Sequence, residues 1–309
     1  MNQEITSFHG WDKTLRLWND SAELLVTTDI GPRILIYKTP STDNVFRLFG
    51  DQLGSSGEDH FCIRGGHRFW LAPEDLVLSY HQDNTPVTWS EHTPSNELEI
   101  ISVQQHPVPL RKTLGITLDP HTTRVSIRHT VTNEGDTPIT LATWGLSVMK
   151  PGGLEIIPQP PLKEHSESDF LPNRGIVLWP YTDLSDPRWN FGQKFWTLRQ
   201  ADPGPPTKSG LAHREGWIAY VMDDSLFIKT ISADPASTYP DGGCNFETFS
   251  DPTMLEIESL GPLGPLRPGA STSHQEHWHL FPLTEEIQID SEEALAEWLA
   301  PFVRQTQTS

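Results

Sequence analysis

Tyr239-Pro-Asp-Gly-Gly-Cys-Asn-Phe-Glu-Thr-Phe-Ser-Asp-Pro-Thr-Met-Leu-Glu-Ile-Glu-Ser-Leu-Gly-Pro262 opens as a Pro/Gly turn and continues as two strand-like runs, Asn245 to Phe249 and Met254 to Ser259. In the second run Glu256 and Glu258 alternate with Leu255, Ile257 and Ser259. Side chains of a strand alternate between its two faces, so both carboxylates share one face and the apolar residues the other. Asn245 and Glu247 share a face of the first run for the same reason. If the runs pair, four polar side chains line one surface. The plain alternative for any one acidic pair is the wet face of an antiparallel sheet.

Working outward, the chain reads as strands separated by turn chemistry. Thr14–Trp18 and Glu23–Thr28 flank Asn19-Asp20, a hairpin signal. Arg124–Thr132 and Thr140–Met149 flank Asn133-Glu-Gly-Asp-Thr-Pro138, a second reversal, and Asp223-Asp224 turns Gly216–Met222 against Leu226–Ser232. Gly152–Pro161 and Ser166–Arg174 are rich in breakers. Only Ser291–Arg304 reads as a helix, capped by Ser291, with Ala294, Leu295, Trp298 and Leu299 as its apolar stripe and Pro301 placed to end or kink it. Roughly fifteen strand-like runs with one helix exclude Rossmann and TIM architectures. They predict an all-β fold of large stacked antiparallel sheets in a single domain, residues 1–309, with a helical tail at about 291–304. Two adjacent sandwiches, divided somewhere in Pro151–Asn173, are the alternative.

Composition narrows the partners. Lys plus Arg number 22 against 41 Asp plus Glu, a formal charge of −19. Nucleic-acid backbones and anionic membranes both require positive surface, so neither is expected as a partner. Two cysteines, Cys62 and Cys244, are too few for a disulfide framework or a zinc finger. Apolar runs stop at about ten residues, about half of what a bilayer requires. The N-terminus carries Glu4, His9 and Asp12 without a basic region before an apolar run, unlike a signal peptide, so a cytoplasmic protein is expected. Nothing in the sequence calls for a cofactor or sets an oligomeric state.

The first candidate site is Arg64-Gly-Gly-His-Arg-Phe-Trp-Leu-Ala-Pro-Glu74. Arg64, His67 and Arg68 can donate to hydroxyls or a carboxylate, and Trp70 offers a flat face on which the C–H side of a sugar packs. Taken singly, Trp70 is as readily core, and Glu74 as readily the salt-bridge partner of an arginine. Tyr80-His-Gln-Asp83 extends the same rim at lower weight.

These segments resemble the galactose mutarotase-like superfamily, which includes the aldose 1-epimerases. The resemblance lies in Gly31-Pro-Arg-Ile-Leu-Ile36, Arg64-Gly-Gly-His67, Arg128-His-Thr-Val-Thr-Asn-Glu-Gly-Asp-Thr-Pro138 and Leu255-Glu-Ile-Glu258, and spans Ser21 to Leu283. Gly-Gly-His-Arg-x-Trp-x-Ala-Pro-Glu and Gly-Cys-Asn-Phe-Glu place the chain nearest an uncharacterised branch. The resemblance implies a β-supersandwich with a sugar cleft on one concave sheet. Ring opening needs a base at the anomeric hydroxyl and an acid at the ring oxygen. The family's base corresponds to Glu258 and its first histidine lies nearest His67, with Arg64 or Arg68 as the binding arginine. Trp70, Glu74, Trp144, Asn245, Glu247 and Glu256 complete the expected binding set. The chain departs from the enzymes at Leu141-Ala-Thr-Trp-Gly-Leu-Ser147, where they present a histidine; His129, His213 and Lys194 are the nearest substitutes.

Three functions follow as expectations: a carbohydrate-binding protein acting as an aldose 1-epimerase-like isomerase, a sugar-recognition module without catalysis, or a structural sandwich. In all but the last, His67, one of the two arginines, Asn245 or Glu247, and Glu258 converge on one surface. Glu258 is expected to line the cleft, with Glu256 paired to an arginine behind it. His277 and His279 share a strand face and form a metal candidate, but the alternation equally suits a solvent-facing final strand, and no metal is expected.

Overall fold

The computed structural model describes residues 2–92, 95–105, 107–165, 171–284 and 291–308. Its strands, in chain order, begin with β1 (Asn2–Phe8), β2 (Trp11–Trp18), β3 (Glu23–Thr27), β4 (Arg33–Lys38), β5 (Gly66–Ala72), β6 (Thr88–His92) and β7 (Glu97–Gln104). They continue with β8 (Leu110–Leu118), β9 (Val125–Asn133), β10 (Ile139–Met149), β11 (Leu154–Pro158), β12 (Ile176–Leu178), β13 (Trp189–Phe191) and β14 (Phe195–Arg199). The last are β15 (Thr207–Leu211), β16 (Trp217–Val221), β17 (Ser225–Ile231), β18 (Phe246–Ser250), β19 (Leu255–Leu260), β20 (Gly264–Leu266) and β21 (Ser271–Pro282). A helix, Glu292–Thr308, follows.

The strands form two antiparallel sheets. The larger runs β1-β2-β3-β4-β5-β10-β19-β18-β15-β12, with β20 beside β10; the smaller runs β13-β14-β11-β16-β17-β21-β9-β8-β7-β6. One apolar cluster joins them, with Phe69, Leu71, Phe246 and Ile257 from the larger sheet and Ile127, Tyr220, Phe227 and Trp278 from the smaller. Burial of that shared layer is the main driving force for stacking the sheets.

The expected hairpins at Asn19-Asp20 and Asp223-Asp224 join β2 to β3 and β16 to β17. At the first, the Asn19 side chain accepts hydrogen bonds from the Ser21 and Ala22 amides, the local bonding that makes asparagine a turn residue. Asn133–Pro138 behaves differently. It reverses the chain, but β9 and β10 lie in different sheets, so it is a corner between sheets and not a hairpin. Asn133 holds that corner by donating to the carbonyls of Thr137 and Leu266 while accepting from the Gly135 amide. Residues 166–170 of the breaker-rich stretch lie outside the described residues.

The helix continues past Pro301 to Thr308. Leu295 and Leu299 are buried in a second apolar cluster, with Trp298, Phe302 and Val303 packed around it. That packing on both sides of the proline offsets the missing backbone bond. Ala294, counted in the apolar stripe, is exposed. Ser291 Oγ accepts from the Ala294 amide, as the cap reading requires. At the next residue, the Glu292 carboxylate accepts from the amides of Gln193, Lys194 and Phe195 and so pins the helix to the β13–β14 hairpin. Glu292→Ala is expected to cost about 1–3 kcal/mol, because three amides lose a charged acceptor. Faster amide exchange across Ala294–Phe302 is the accompanying sign; unchanged exchange there would refute the anchor.

Candidate functional site

Alternation along five neighbouring strands builds a polar and aromatic cavity on the outer face of the larger sheet. Strands β5, β10, β19, β18 and β15 lie side by side in that order. In register, Arg68, Leu146, Glu258 and Glu247 form one row, and Val148, Glu256, Phe249 and Lys208 form the next. Trp70 stands beside Trp144. Residues one step along each strand, including Phe69, Ile257 and Phe246, turn inward to the core.

The rows cross-link diagonally. Arg68 Nη1 lies 2.8 Å from Glu256 Oε1. Lys208 Nζ lies 2.9 Å from Glu247 Oε2 and 3.2 Å from Glu258 Oε2, which also accepts from Trp144 Nε1 at 3.0 Å. The Lys208 ammonium sits 4.7 Å from the ring centroids of both Trp144 and Trp179, and the Arg68 guanidinium 4.4 Å from that of Trp70. A cation held on an aromatic face is stabilised by the ring quadrupole, more so where water is excluded. The cavity encloses about 190 Å³ and is lined by Phe61, Arg68, Trp70, Glu74, Tyr80, Trp144, Tyr181, Lys208 and Glu256 among others. It is smaller than the usual range for drug-sized ligands.

Burial raises the Glu258 carboxyl to about 7 and the Glu247 carboxyl to about 8, against the opposing pull of Lys208. Burial works against the Lys208 ammonium as well, but Glu258 and Glu247 outweigh it and raise its proton affinity. Near neutral pH this trio therefore keeps a charged lysine and shares one proton between its carboxyls. A permanently protonated Lys208 is no Schiff-base nucleophile. Tyr80 and Tyr181, both pushed up to about 12 chiefly by burial, remain phenols.

Several expected site residues lie elsewhere. His67 is one residue from Arg68, so strand alternation turns it to the opposite face, inside the sandwich and away from Glu258. An acid–base pair of His67 and Glu258 across one sugar ring is thereby excluded. Arg64 is buried in the loop before β5, paired with Glu58 at 2.5 Å and bonded to the Ser55 carbonyl; Arg68 alone of the two arginines lines the cavity. Asn245 spends its amide on both backbone groups of His213, at 2.6 and 2.9 Å, because it lies just before β18 and faces β15. The order of the two glutamates is also reversed. Glu256, with Arg68, lines the cavity, whereas Glu258 lies beneath Lys208 and Trp144 with 0% exposure. Glu74 stands exposed at the rim and accepts from the Tyr80 hydroxyl at 2.6 Å.

His67 instead belongs to a buried polar network between the sheets. Its Nδ1 lies 3.0 Å from Ser147 Oγ and its Nε2 2.8 Å from His129 Nε2. His129 stacks on His274 at 4.4 Å, and His274 bridges Thr143 and Ser259. Gly145 makes room for this, since a Cβ there would stand 2.8 Å from His129 Nε2. Glu276 accepts from Trp278, Ser259 and Lys229, and Lys229 also donates to the Ile257 carbonyl of the facing sheet. Burial holds His67, His129 and His274 well below the ordinary histidine range, hence neutral. His67, His129 and Glu276 bring three ligand atoms within 4.8 Å. Lys229, at 2.9 Å, already supplies the cation on Glu276, so a divalent ion would add uncompensated charge to a fully buried site.

His277 and His279 do share a face of β21, but their charged neighbour is Arg124, 3.3 Å from His277 Nδ1. A guanidinium repels a metal ion, and Glu276 points to the other face. His213 bonds the Trp217 carbonyl, and Lys194 pairs with Glu293, both away from the cavity. Lys208, Phe61, Tyr181 and Trp179 are residues of the site that sequence reasoning missed, Lys208 the most consequential. Thr207-Lys-Ser-Gly-Leu211 has one large apolar residue and so carries no legible strand pattern.

No protein-family model and no curated relative matches the sequence. Solved structures do share its fold. The Slr1438 protein from Synechocystis sp. PCC 6803 superposes with a TM-score of 0.57 at 13% identity, covering 90% of this chain and 99% of that one. A galactose mutarotase-like protein from Lactobacillus casei gives 0.55 at 10%, covering 87% and 100%. Galactose 1-epimerase from Lactobacillus acidophilus NCFM gives 0.55 at 11%, covering 92% and 99%. The fold is thus the all-β, two-sheet sandwich of the galactose mutarotase-like type with one long C-terminal helix.

Proposed function

We propose that this chain is a carbohydrate-binding protein whose cavity on the larger sheet receives a single sugar ring. One observation carries the reading: aromatic rings and hydrogen-bonding charged groups alternate around a space of about 190 Å³. Aromatic faces suit the C–H surfaces of a sugar, and Arg68, Glu256, Lys208 and Tyr181 suit its hydroxyls. Nucleic acid and membrane are not the partners of such an acidic chain, and residues 1–309 act in this reading as one domain of the cytoplasm.

Ligand-observed NMR with a panel of monosaccharides tests the reading. Tyr181, about half exposed at the cavity wall, can be removed without disturbing the core. Tyr181→Ala is expected to weaken the best ligand roughly tenfold, the worth of one aromatic contact. Equal affinity of variant and wild type would place the sugar elsewhere.

A second reading, interconversion of anomers, is favoured by the Glu247–Lys208–Glu258 trio, which keeps a transferable proton near neutrality. With no histidine among the described cavity residues, the trio's proton would have to reach the sugar by way of Lys208, which lines the cavity above the buried Glu247 and Glu258, and the base would be the wall carboxylate Glu256. NMR of anomer exchange should then show wild type faster than solvent and Glu258→Gln slower by roughly 10²–10⁴-fold. Wild type at the solvent rate would leave binding without turnover.

A further inference from the structure

Among the described residues of this face, Glu74, Glu247, Glu256 and Glu258 meet only two cations, Arg68 and Lys208. Both cations are already engaged: Arg68 by Glu256, Lys208 by Glu247 and Glu258. Even with one proton shared in the trio, the cavity carries a net negative charge. Glu247 Oε1 and Glu258 Oε1, both in fully buried side chains, have no hydrogen-bond partner. The aromatic wall adds a second, independent feature. Trp70 and Trp144 hold a guanidinium and an ammonium over their faces, and Tyr80 and Tyr181 add further aromatic rings at the same wall on which an organic cation can rest.

We infer that the sugar taken by this cavity bears a protonated amine, as an aminohexose does, and that phosphorylated and carboxylated sugars are excluded. The inference rests on the cavity being a sugar site. An ammonium entering it meets the Glu74 and Glu256 carboxylates at the wall and aromatic faces around them. A neutral sugar satisfies acceptors but leaves the charge imbalance. An anionic sugar could reach the unpartnered Nε of Arg68, but it would compete with Glu256 for that guanidinium and bring a further negative charge among four carboxyls.

Calorimetry slightly below neutral pH, where a sugar amine is protonated, separates the cases. The panel is glucosamine, galactosamine, N-acetylglucosamine, glucose, galactose, glucose 6-phosphate and glucuronate. An aminohexose should bind at least about tenfold more tightly than its N-acetyl or hydroxyl counterpart, with the margin shrinking at high salt. The two anionic sugars should not bind. Glu74→Gln, which keeps an acceptor for Tyr80 on an exposed side chain, should narrow the margin between glucosamine and N-acetylglucosamine, and an undiminished margin in that variant would overturn the inference. Equal affinity for glucosamine and N-acetylglucosamine, or tighter binding of glucose 6-phosphate, overturns the inference but leaves a sugar site. Failure of every sugar to bind overturns the sugar reading itself.

Discussion

Lys229→Met is expected to destabilise the protein by about 3–5 kcal/mol, the usual cost of removing one partner from a buried ion pair. Lys229 is fully buried on β17 of the smaller sheet, and its ammonium lies 2.9 Å from Glu276 and 3.0 Å from the Ile257 carbonyl on β19 of the larger. The variant keeps apolar bulk but strands a carboxylate and a carbonyl in a layer without solvent. Denaturant unfolding measures the loss. A second variant, Lys229→Met with Glu276→Gln, neutralises the stranded charge, keeps an amide oxygen to accept from Trp278 and turns an NH2 toward the Ser259 hydroxyl, which can accept, so most of the loss should return. A single-variant cost below about 1 kcal/mol, or no recovery in the double variant, would show that the charge pair does not hold this layer together.

That layer explains what sequence reading can and cannot reach. Turn chemistry and period-two patterning made the antiparallel strands legible, because Asn19-Asp20 and the Leu255–Leu260 alternation are local signals. They also placed Glu247, Glu256 and Glu258 on one face, and β18 pairs with β19 so that Glu247 stands directly opposite Glu258. Which face a strand presents to which sheet is not local. Shifting attention by one residue, from Arg68 to His67, changes a cavity wall into the sandwich interior. A histidine in a charged segment reads as functional from composition, yet here its partners are His129 and Glu276 from the opposite sheet, far away in sequence. Lys208 escaped notice for the converse reason. Its short strand has almost no apolar content, and only the pairing of β15 with β18 brings it between two glutamates. β1 was missed similarly, since its residues are mostly exposed and it is a strand through its pairing with β2.

The buried imidazoles also set how the protein should respond to acid. His67, His129 and His274 are held well below 6.5, and His213 and His279 are lowered to about 4, in every case chiefly by burial. In the unfolded chain each titrates near 6.5, so between about pH 4 and 6.5 unfolding takes up protons and stability falls as pH falls. Three carboxyls act in the opposite direction. Glu155, raised well above the ordinary range by burial, and the Glu247 and Glu258 carboxyls, raised to about 8 and about 7, hold protons in the fold that the unfolded chain releases near 4.5. Five imidazoles against about three carboxyl protons leave a net uptake of about two, and integration from pH 6.5 to 5 gives a loss of about 3 kcal/mol. That is a large fraction of an ordinary domain's stability. Urea unfolding should show midpoints dropping below pH 6.5, and falling again as pH rises from 7 to 8, where the folded Glu258 and Glu247 release their protons. A flat profile from pH 7 to 5 would mean that the His67–His129–His274 network accepts protons while folded, and that Glu276 or solvent reaches it more readily than its burial implies.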